Sequence, residues 1–136
     1  DFFATWCAPC RAALPRVRAL AKEHGDALQL VGVSRFYGRG MDFTDPTAEL
    51  PHGGTMKSEI DEATEFAINA TFADRFGVDY PIVFTTADCM ANAYGVRGIP
   101  TVIVIGKDGR IVGRAVGASE AAERSLRDLV ARAIAE

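Results

Sequence analysis

Cys7 and Cys10 stand two residues apart in Trp6-Cys7-Ala8-Pro9-Cys10, where an apolar strand end meets an amphipathic helix. That junction limits the possible folds more than any other feature of the chain. Phe2 to Thr5 continue an apolar, strand-like run, and Pro9 suits the first turn of a helix, where its missing N–H costs nothing. Leu14, Val17, Leu20 and Ala21 recur at helical spacing as far as about His24, and Gly25 supplies the stop signal. Pro15 lies inside this helix and is expected to kink it. Leu28–Ser34 then reads as a buried strand, and strand, helix, strand in succession opens an α/β fold.

A CxxC at a helix N-terminus has a definite use. Unpaired N–H groups and the helix dipole favour negative charge there, so the Cys7 thiol ionises more readily than a free one. Cys10, one turn further in, is placed to attack Cys7 once a mixed disulfide has formed. Cys7 is therefore the expected nucleophile and Cys10 the resolving thiol, with Trp6 and Pro9 shaping the rim around them. The competing reading is half of a structural zinc site. Zinc takes about four ligands, and the remaining candidates Cys89, His24 and His52 show no ligand spacing. No metal and no cofactor are expected beyond the redox-active Cys7–Cys10 pair.

Downstream, Gly and Pro interrupt the pattern from Arg35 to Thr55, which reads as a long loop with a short turn of helix. Met56–Phe76 recovers helical spacing, with Ile60, Ala63, Phe66, Ala67, Ala70, Ala73 and Phe76 near one face. Pro81–Phe84 is a short strand candidate, and Asp88–Tyr94 a short helix capped near Thr86. Thr101–Ile105 is a β-branched strand, Lys107–Arg110 a hairpin turn, and Ile111–Val116 the returning strand. Ser119 caps a last helix to Ala135, striped by Leu126, Leu129, Val130 and Ile134.

The 136 residues suit one domain, and 49% apolar with 24% charged residues gives it an ordinary core. A net charge of −3, with Lys and Arg scattered, argues against a nucleic-acid partner. No apolar run approaches the roughly 20 residues of a membrane span. Asp1-Phe2-Phe3 reads as the end of a strand already begun. Residues before Asp1 are therefore expected, and any export signal or lipid anchor would lie among them. Cys89 reads as a small apolar core residue, with a further redox role as the alternative. His24 suits a helix C-terminus, and His52 reads as a solvated loop residue, with substrate contact as its other reading. Phe36, Tyr37 and Phe43 fit either a recognition surface or the apolar underside of the long loop. Asn69-Ala70-Thr71 has the form of a glycosylation site but falls within a predicted helix.

Several segments in order resemble the thioredoxin superfamily, most closely its TlpA/ResA-type, redoxin-like branch. They are Phe3-Ala4-Thr5-Trp6-Cys7-Ala8-Pro9-Cys10-Arg11 with Leu14-Pro15, then Tyr80-Pro81-Ile82-Val83, then Ala93 to Thr101 with Gly98-Ile99-Pro100-Thr101, and finally Gly106-Lys107-Asp108-Gly109-Arg110-Ile111-Val112. The resemblance implies a thioredoxin fold, a central mixed β-sheet flanked by helices, here with a loop-plus-helix insertion at about 35–76 that is longer than usual. It implies one thioredoxin-like domain over 1–136, without its natural N-terminal residues. It further implies a cis bond between Ile99 and Pro100, backbone hydrogen bonds from Ile99 to an extended substrate, and a Pro100 that restricts access to the sulfurs. Asp1, six residues before Cys7, matches a buried acid that exchanges a proton with the resolving thiol; the alternative is a solvated, inert residue. The branch often carries Glu where Ala13 stands.

The implied activity is thiol–disulfide oxidoreduction, with the Ala-Pro dipeptide and Ile99 favouring a reductase of protein disulfides. Its partners would be a protein or small-molecule disulfide and an unidentified electron donor, the chain acting as a monomer. The resemblance favours a bacterial extracytoplasmic location over a cytoplasmic one. Two other activities belong to related folds. A peroxiredoxin-like peroxidase resembles a Thr-x-x-Cys pattern, which the complete WCxPC replaces. A copper or cytochrome-maturation thiol-binding module resembles a CxxxC with a distant His, and neither spacing is present.

Overall fold

The computed structural model describes residues 1–136. Its main sheet is organised around Phe2, although that residue belongs to no long strand. Phe2 bridges Val33 in parallel on one side and Thr101 in antiparallel on the other. Strand β1 (Gly32–Ser34) pairs in parallel with the strand Ile82–Phe84, and the strand Thr101–Ile105 pairs antiparallel with the strand Ile111–Val116. Numbered in chain order after β2 and β3 of the ribbon described below, these three are β4, β5 and β6. The mixed sheet thus runs β4, β1, the Phe2 segment, β5, β6. The relation of β1 to β4 is the parallel pairing that requires a crossover connection.

Helix α1 (Ala8–His24) begins at Cys7, whose extended backbone and side chain form the N-cap, and ends at Gly25 with φ 53°. Pro15 stands within it without ending it. Helix α2 (Glu62–Arg75) is capped by Asp61, whose carboxylate accepts the Thr64 N–H at 2.8 Å. Helix α3 (Glu120–Ala135) is capped by Ser119 and packs Leu126, Leu129, Val130 and Ala133 with Leu20 of α1, Val104 of β5 and Ala115 of β6. A second apolar cluster joins Phe3 and Ala4 to Cys7, Cys10 and Leu14 of α1, to Met41 and Phe43, and to Phe72 of α2. Both sulfurs are therefore wedged into the core, with the two cysteines about one-twentieth exposed.

The 35–76 segment departs from its sequence reading. Arg39–Asp42 (β2) and Thr55–Ser58 (β3) form a two-stranded antiparallel ribbon outside the main sheet, so 35–55 is not simply loop. Residues 56–58 lie in that ribbon, and helix begins only at Glu62. The inward face of α2 is Glu65, Ile68, Asn69 and Phe72, while Phe66 is 58% exposed and Ala67 and Ala70 face outward. Capping by Asp61 sets the start of the helix. Capture of the 37–38 turn by Glu65 then rotates a carboxylate, not an alanine, toward the protein. Asn69 is buried and donates to the Glu65 carbonyl oxygen, within the helix its sequence predicted. Gly54 allows the ribbon to close, because any Cβ there would meet the Asp42 carbonyl oxygen at 2.8 Å.

Two smaller expectations change as well. Leu28–Ser34 is strand only from Gly32, and Asp88–Tyr94 is a single π-helical turn, Cys89–Ala93, with Thr86 Oγ1 accepting the Cys89 N–H at 3.1 Å as its cap. No helix is long and apolar enough to cross a membrane.

Asp42 ties the ribbon together: it accepts from the Thr44 side chain and N–H and pairs with Lys57 of β3 at 2.9 Å. The Thr44 hydroxyl, then Lys57, hold its carboxyl down at about 2 against an ordinary 3.8. A depressed folded value contributes stability that is complete above pH 3.8 and is lost as pH falls toward 2. Asp42→Asn is expected to cost about 0.5–1 kcal/mol at neutral pH, solvent screening included, and to flatten the acid limb of stability below pH 4. Urea unfolding of both proteins between roughly pH 2 and 7 checks this.

Candidate active site

Because Cys7 caps α1, its Sγ is held where the helix N–H groups converge. It accepts the Cys10 N–H at 3.2 Å, and the Cys7 N–H is fixed in turn by the Ala4 carbonyl oxygen at 3.1 Å. Cys7 and Cys10 are joined as a disulfide, with Cα atoms 5.2 Å apart. Opposite stands the Gly98–Thr101 segment. The Ile99–Pro100 bond is cis, as the resemblance implied, and the Ile99 carbonyl oxygen lies 3.8 Å from Cys7 Sγ. The Thr101 hydroxyl donates to the Gly98 carbonyl oxygen at 2.7 Å, and the Pro100 carbonyl oxygen accepts the Gly117 N–H at 2.8 Å. Both ends of the segment are thereby tied to β5 and β6.

An open groove of about 660 Å³ runs along this contact. Trp6, Cys7, Pro9 and Ile99 line it, whereas Pro100 is buried behind it and Cys10 is not among its lining residues. The two sulfurs are thus inequivalent. Only Cys7 opens onto the groove.

Asp1 sits apart from the groove. Its N–H group donates to the Val31 carbonyl oxygen at 2.8 Å. Its side chain borders an apolar cavity of about 510 Å³ together with Val17 and Leu20 of α1. Asp1 Oδ1 is buried without a hydrogen-bond partner, and Asp1 makes no hydrogen bond to Cys10 in this oxidised state. The α1 residues that share this cavity with Asp1 are Val17, Leu20 and Ala21. Cys89 is half-buried on the same cavity, away from the disulfide.

Three residues outside the predicted site set, Arg11, Thr5 and Glu65, hold the site in shape. Arg11 is 3% exposed; its guanidinium donates to the Thr5 carbonyl oxygen at 2.8 Å and to the Pro51 carbonyl oxygen at 2.8 Å, and lies 3.2 Å from His52 Nδ1. Burial lowers its pKa below the usual guanidinium value. Thr5 Oγ1 accepts the Met41 N–H at 3.1 Å, linking the pre-cysteine turn to β2. Glu65, 2% exposed, accepts the Tyr37 and Gly38 N–H groups at 2.8 and 2.7 Å. Tyr37 is thereby set edge-on to Trp6, with ring centroids 5.2 Å apart. Burial raises the pKa of the Tyr37 hydroxyl.

Arg11 was visible only as part of the motif, and His52, an exposed loop residue as its sequence reading held, also reaches the Arg11 guanidinium with Nδ1. Glu65 carried no sequence signal, because it stands among other acids on a helix whose inward face is decided elsewhere. Of the three aromatics left open, Phe43 is fully buried against Phe72 and Phe76, Phe36 stacks on Phe84, and Tyr37 alone lines the groove.

Residues 1–130 match the family model described as Redoxin. The chain is 28% identical over 114 residues to the thiol-disulfide oxidoreductase ResA of Geobacillus thermodenitrificans, covering 82% of this chain and 49% of that protein. It is 30% identical over 111 residues to the thioredoxin-like protein YneN of Bacillus subtilis, covering 82% and 51%. The chain spans about half the length of these curated relatives. Among solved structures, the exposed lipoprotein thioredoxin Etrx1 of Streptococcus pneumoniae superposes with a TM-score of 0.58 at 27% identity, over 98% of this chain and 79% of that one.

Arg11→Met keeps the bulk of the side chain and removes every donor. The Thr5 and Pro51 carbonyl oxygens then lose their partners, at an expected cost of about 1–3 kcal/mol. Amide hydrogen exchange should quicken in 48–54 and in the turn before Cys7 while α3 keeps its protection, and unchanged exchange in both segments would contradict the bracing role.

Proposed function

The chain belongs to the redoxin family, in the TlpA/ResA-like part of the thioredoxin superfamily, and on that premise we propose that it reduces protein disulfides by dithiol–disulfide exchange through Cys7 and Cys10. The observation that carries this reading is the inequivalence of the two sulfurs: both cysteines pack into the core, but Cys7 also lines the groove and Cys10 does not.

In the reduced protein, the Cys7 thiolate is stabilised by the N–H groups of the first turn of α1. It attacks one sulfur of the target disulfide in line, and the other target sulfur leaves as a thiolate and takes a proton. The mixed disulfide is then attacked at Cys7 Sγ by Cys10, which must first lose its proton. The second target thiol departs, and the Cys7–Cys10 disulfide remains, two electrons having passed to the target. An electron donor, itself a dithiol, returns the pair to the reduced state by the same exchange in reverse.

Trp6 and Pro9 present the rim, and Ile99 offers backbone hydrogen bonds to an extended target beside Cys7. Pro100 closes the back of the sulfur pair. Asp1 accepts the Cys10 proton, a role supported by its buried, unpartnered oxygen. The protein works outside the cytoplasm, a reading supported by its similarity to a solved thioredoxin described as an exposed lipoprotein.

A redox titration of the wild-type pair, with Cys7→Ser as control, tests the direction. A potential near about −270 mV supports the reductant, and one near about −120 mV would reverse the assignment to an oxidant. Failure to form the intramolecular disulfide would remove the mechanism altogether.

Asp1→Asn should leave the first attack nearly intact and slow release of the mixed disulfide by about tenfold or more near neutral pH, with the deficit shrinking as pH rises and Cys10 ionises unaided. Acid-quench trapping of the mixed disulfide measures the two steps separately. Equal release rates at all pH values would remove Asp1 from the mechanism.

A further inference from the structure

The charge around the groove differs from that of the protein as a whole. The chain carries a net charge of −3, yet the charged side chains lining the groove beside Cys7 are Arg35 and Arg97, with no carboxylate among the lining residues. A third guanidinium, Arg39, stacks 4.0 Å over the Trp6 ring that forms the same rim. Arg35 stacks in turn 4.0 Å over Tyr37.

These three cations are not balanced locally. The ion pairs of the molecule use Arg16, Lys57, Arg110, Arg124 and Arg127, and leave Arg35, Arg39 and Arg97 without a carboxylate within 4.0 Å. Two acids lie near enough to matter. Glu65 spends both oxygens on the Tyr37 and Gly38 N–H groups, beneath the rim. Asp88, next in the chain to the lining residue Ala87, accepts from Asn92. Elsewhere every arginine but Arg132 is committed: Arg11, Arg18, Arg75 and Arg114 each donate to backbone carbonyl oxygens, and the others are in the ion pairs above. The groove is where two guanidinium groups, those of Arg35 and Arg39, stack on aromatic rings and pair with no carboxylate.

Between the cations the wall is apolar, formed by Trp6, Tyr37, Met90, Val96 and Ile99. Resting on the dithiol reading above, we propose that the groove selects an extended peptide whose disulfide cysteine is flanked by Asp or Glu. Carboxylates on either side of the cysteine meet Arg35 and Arg97, and the backbone between them lies along Ile99. Guanidinium suits this task because its planar donors pair with carboxylate while its face stays on the ring. Opposite charge on enzyme and target also speeds encounter, and does so less as salt rises.

The test uses symmetric disulfides of three five-residue peptides with a central cysteine, flanked on both sides by Glu, Ser or Lys. The reduced full chain is mixed with each in a stopped flow. Trp6, the chain's single tryptophan and a neighbour of Cys7, reports the exchange. At low ionic strength the Glu peptide should react about tenfold faster than the Lys peptide, with the Ser peptide between them, and the ratio should shrink markedly by about 0.3 M salt.

Arg97→Gln, at an exposed position, and separately Arg35→Gln should each reduce the Glu-to-Lys ratio by about twofold or more. Equal rates with the three peptides, or a ratio unaltered in both variants, refutes the inference while leaving the dithiol chemistry standing. Absence of exchange with all three refutes the dithiol reading itself, and the inference with it.

Discussion

The pairing of Phe2 with Thr101 is the constraint on which the site depends. The Phe2 N–H donates to the Thr101 carbonyl oxygen at 2.8 Å and the Thr101 N–H returns to Phe2 at 3.3 Å, while on the other side the Phe3 N–H meets Val33 at 3.0 Å. Cys7 follows Phe2 by one short turn, and Pro100 immediately precedes Thr101. Fixing those two residues opposite each other therefore brings the cysteine pair against Ile99 without any direct bond between the two motifs. The 3.8 Å approach of Cys7 Sγ to the Ile99 carbonyl oxygen is a result of sheet register. A one-residue slip would send every side chain of the segment to the opposite face and separate the motifs.

Local signals and long-range pairing account for what could be read in advance. Helix α1, the β5–β6 hairpin and α3 were legible because each carries its own caps, turn residues and periodicity: Gly25, the Lys107–Arg110 turn and Ser119 did not depend on the remainder of the fold. The ribbon of β2 and β3 was not. All four residues of β3 are exposed, so no alternation marks them, and their partners lie across a twelve-residue connection. The misjudged face of α2 has the same origin. Its alanines and Phe66 follow a helical period, yet burial is decided by Glu65 reaching the 37–38 turn, a contact no pattern within the helix encodes.

The site divides along the same line. Cys7, Cys10, Trp6, Pro9, Ile99 and Pro100 sit in short motifs whose spacing makes them conspicuous, and the fold assembles them around one groove and the core behind it. Arg11 and Glu65 were hidden because their partners are backbone atoms of distant loops. A buried charge is ordinarily offset by an opposite charge, and sequence offers some hint of such pairs. Here each ion is met by peptide groups: Arg11 by two carbonyl oxygens, Glu65 by two N–H groups. Peptide groups are everywhere along the chain, so such partners leave no trace in composition.

That choice of partners also shapes the electrostatics outside. Arg11 of α1 ties the Thr5 carbonyl oxygen before the cysteines to Pro51 in the 43–54 connection, and Glu65 of α2 holds the 37–38 turn whose Tyr37 meets Trp6. Had Glu65 been paired with Arg35 or Arg39, the rim would have lost a free cation, and had Arg11 been paired with an acid, the region behind Cys10 would have gained a carboxylate. Satisfying both buried ions with backbone dipoles leaves the guanidinium groups of the rim unspent. The insertion thus acts on the disulfide in two ways. It fixes the geometry of the pre-cysteine turn through Thr5, Arg11 and Glu65, and it sets Tyr37, Arg35 and Arg39 along one edge of the groove that leads to Cys7.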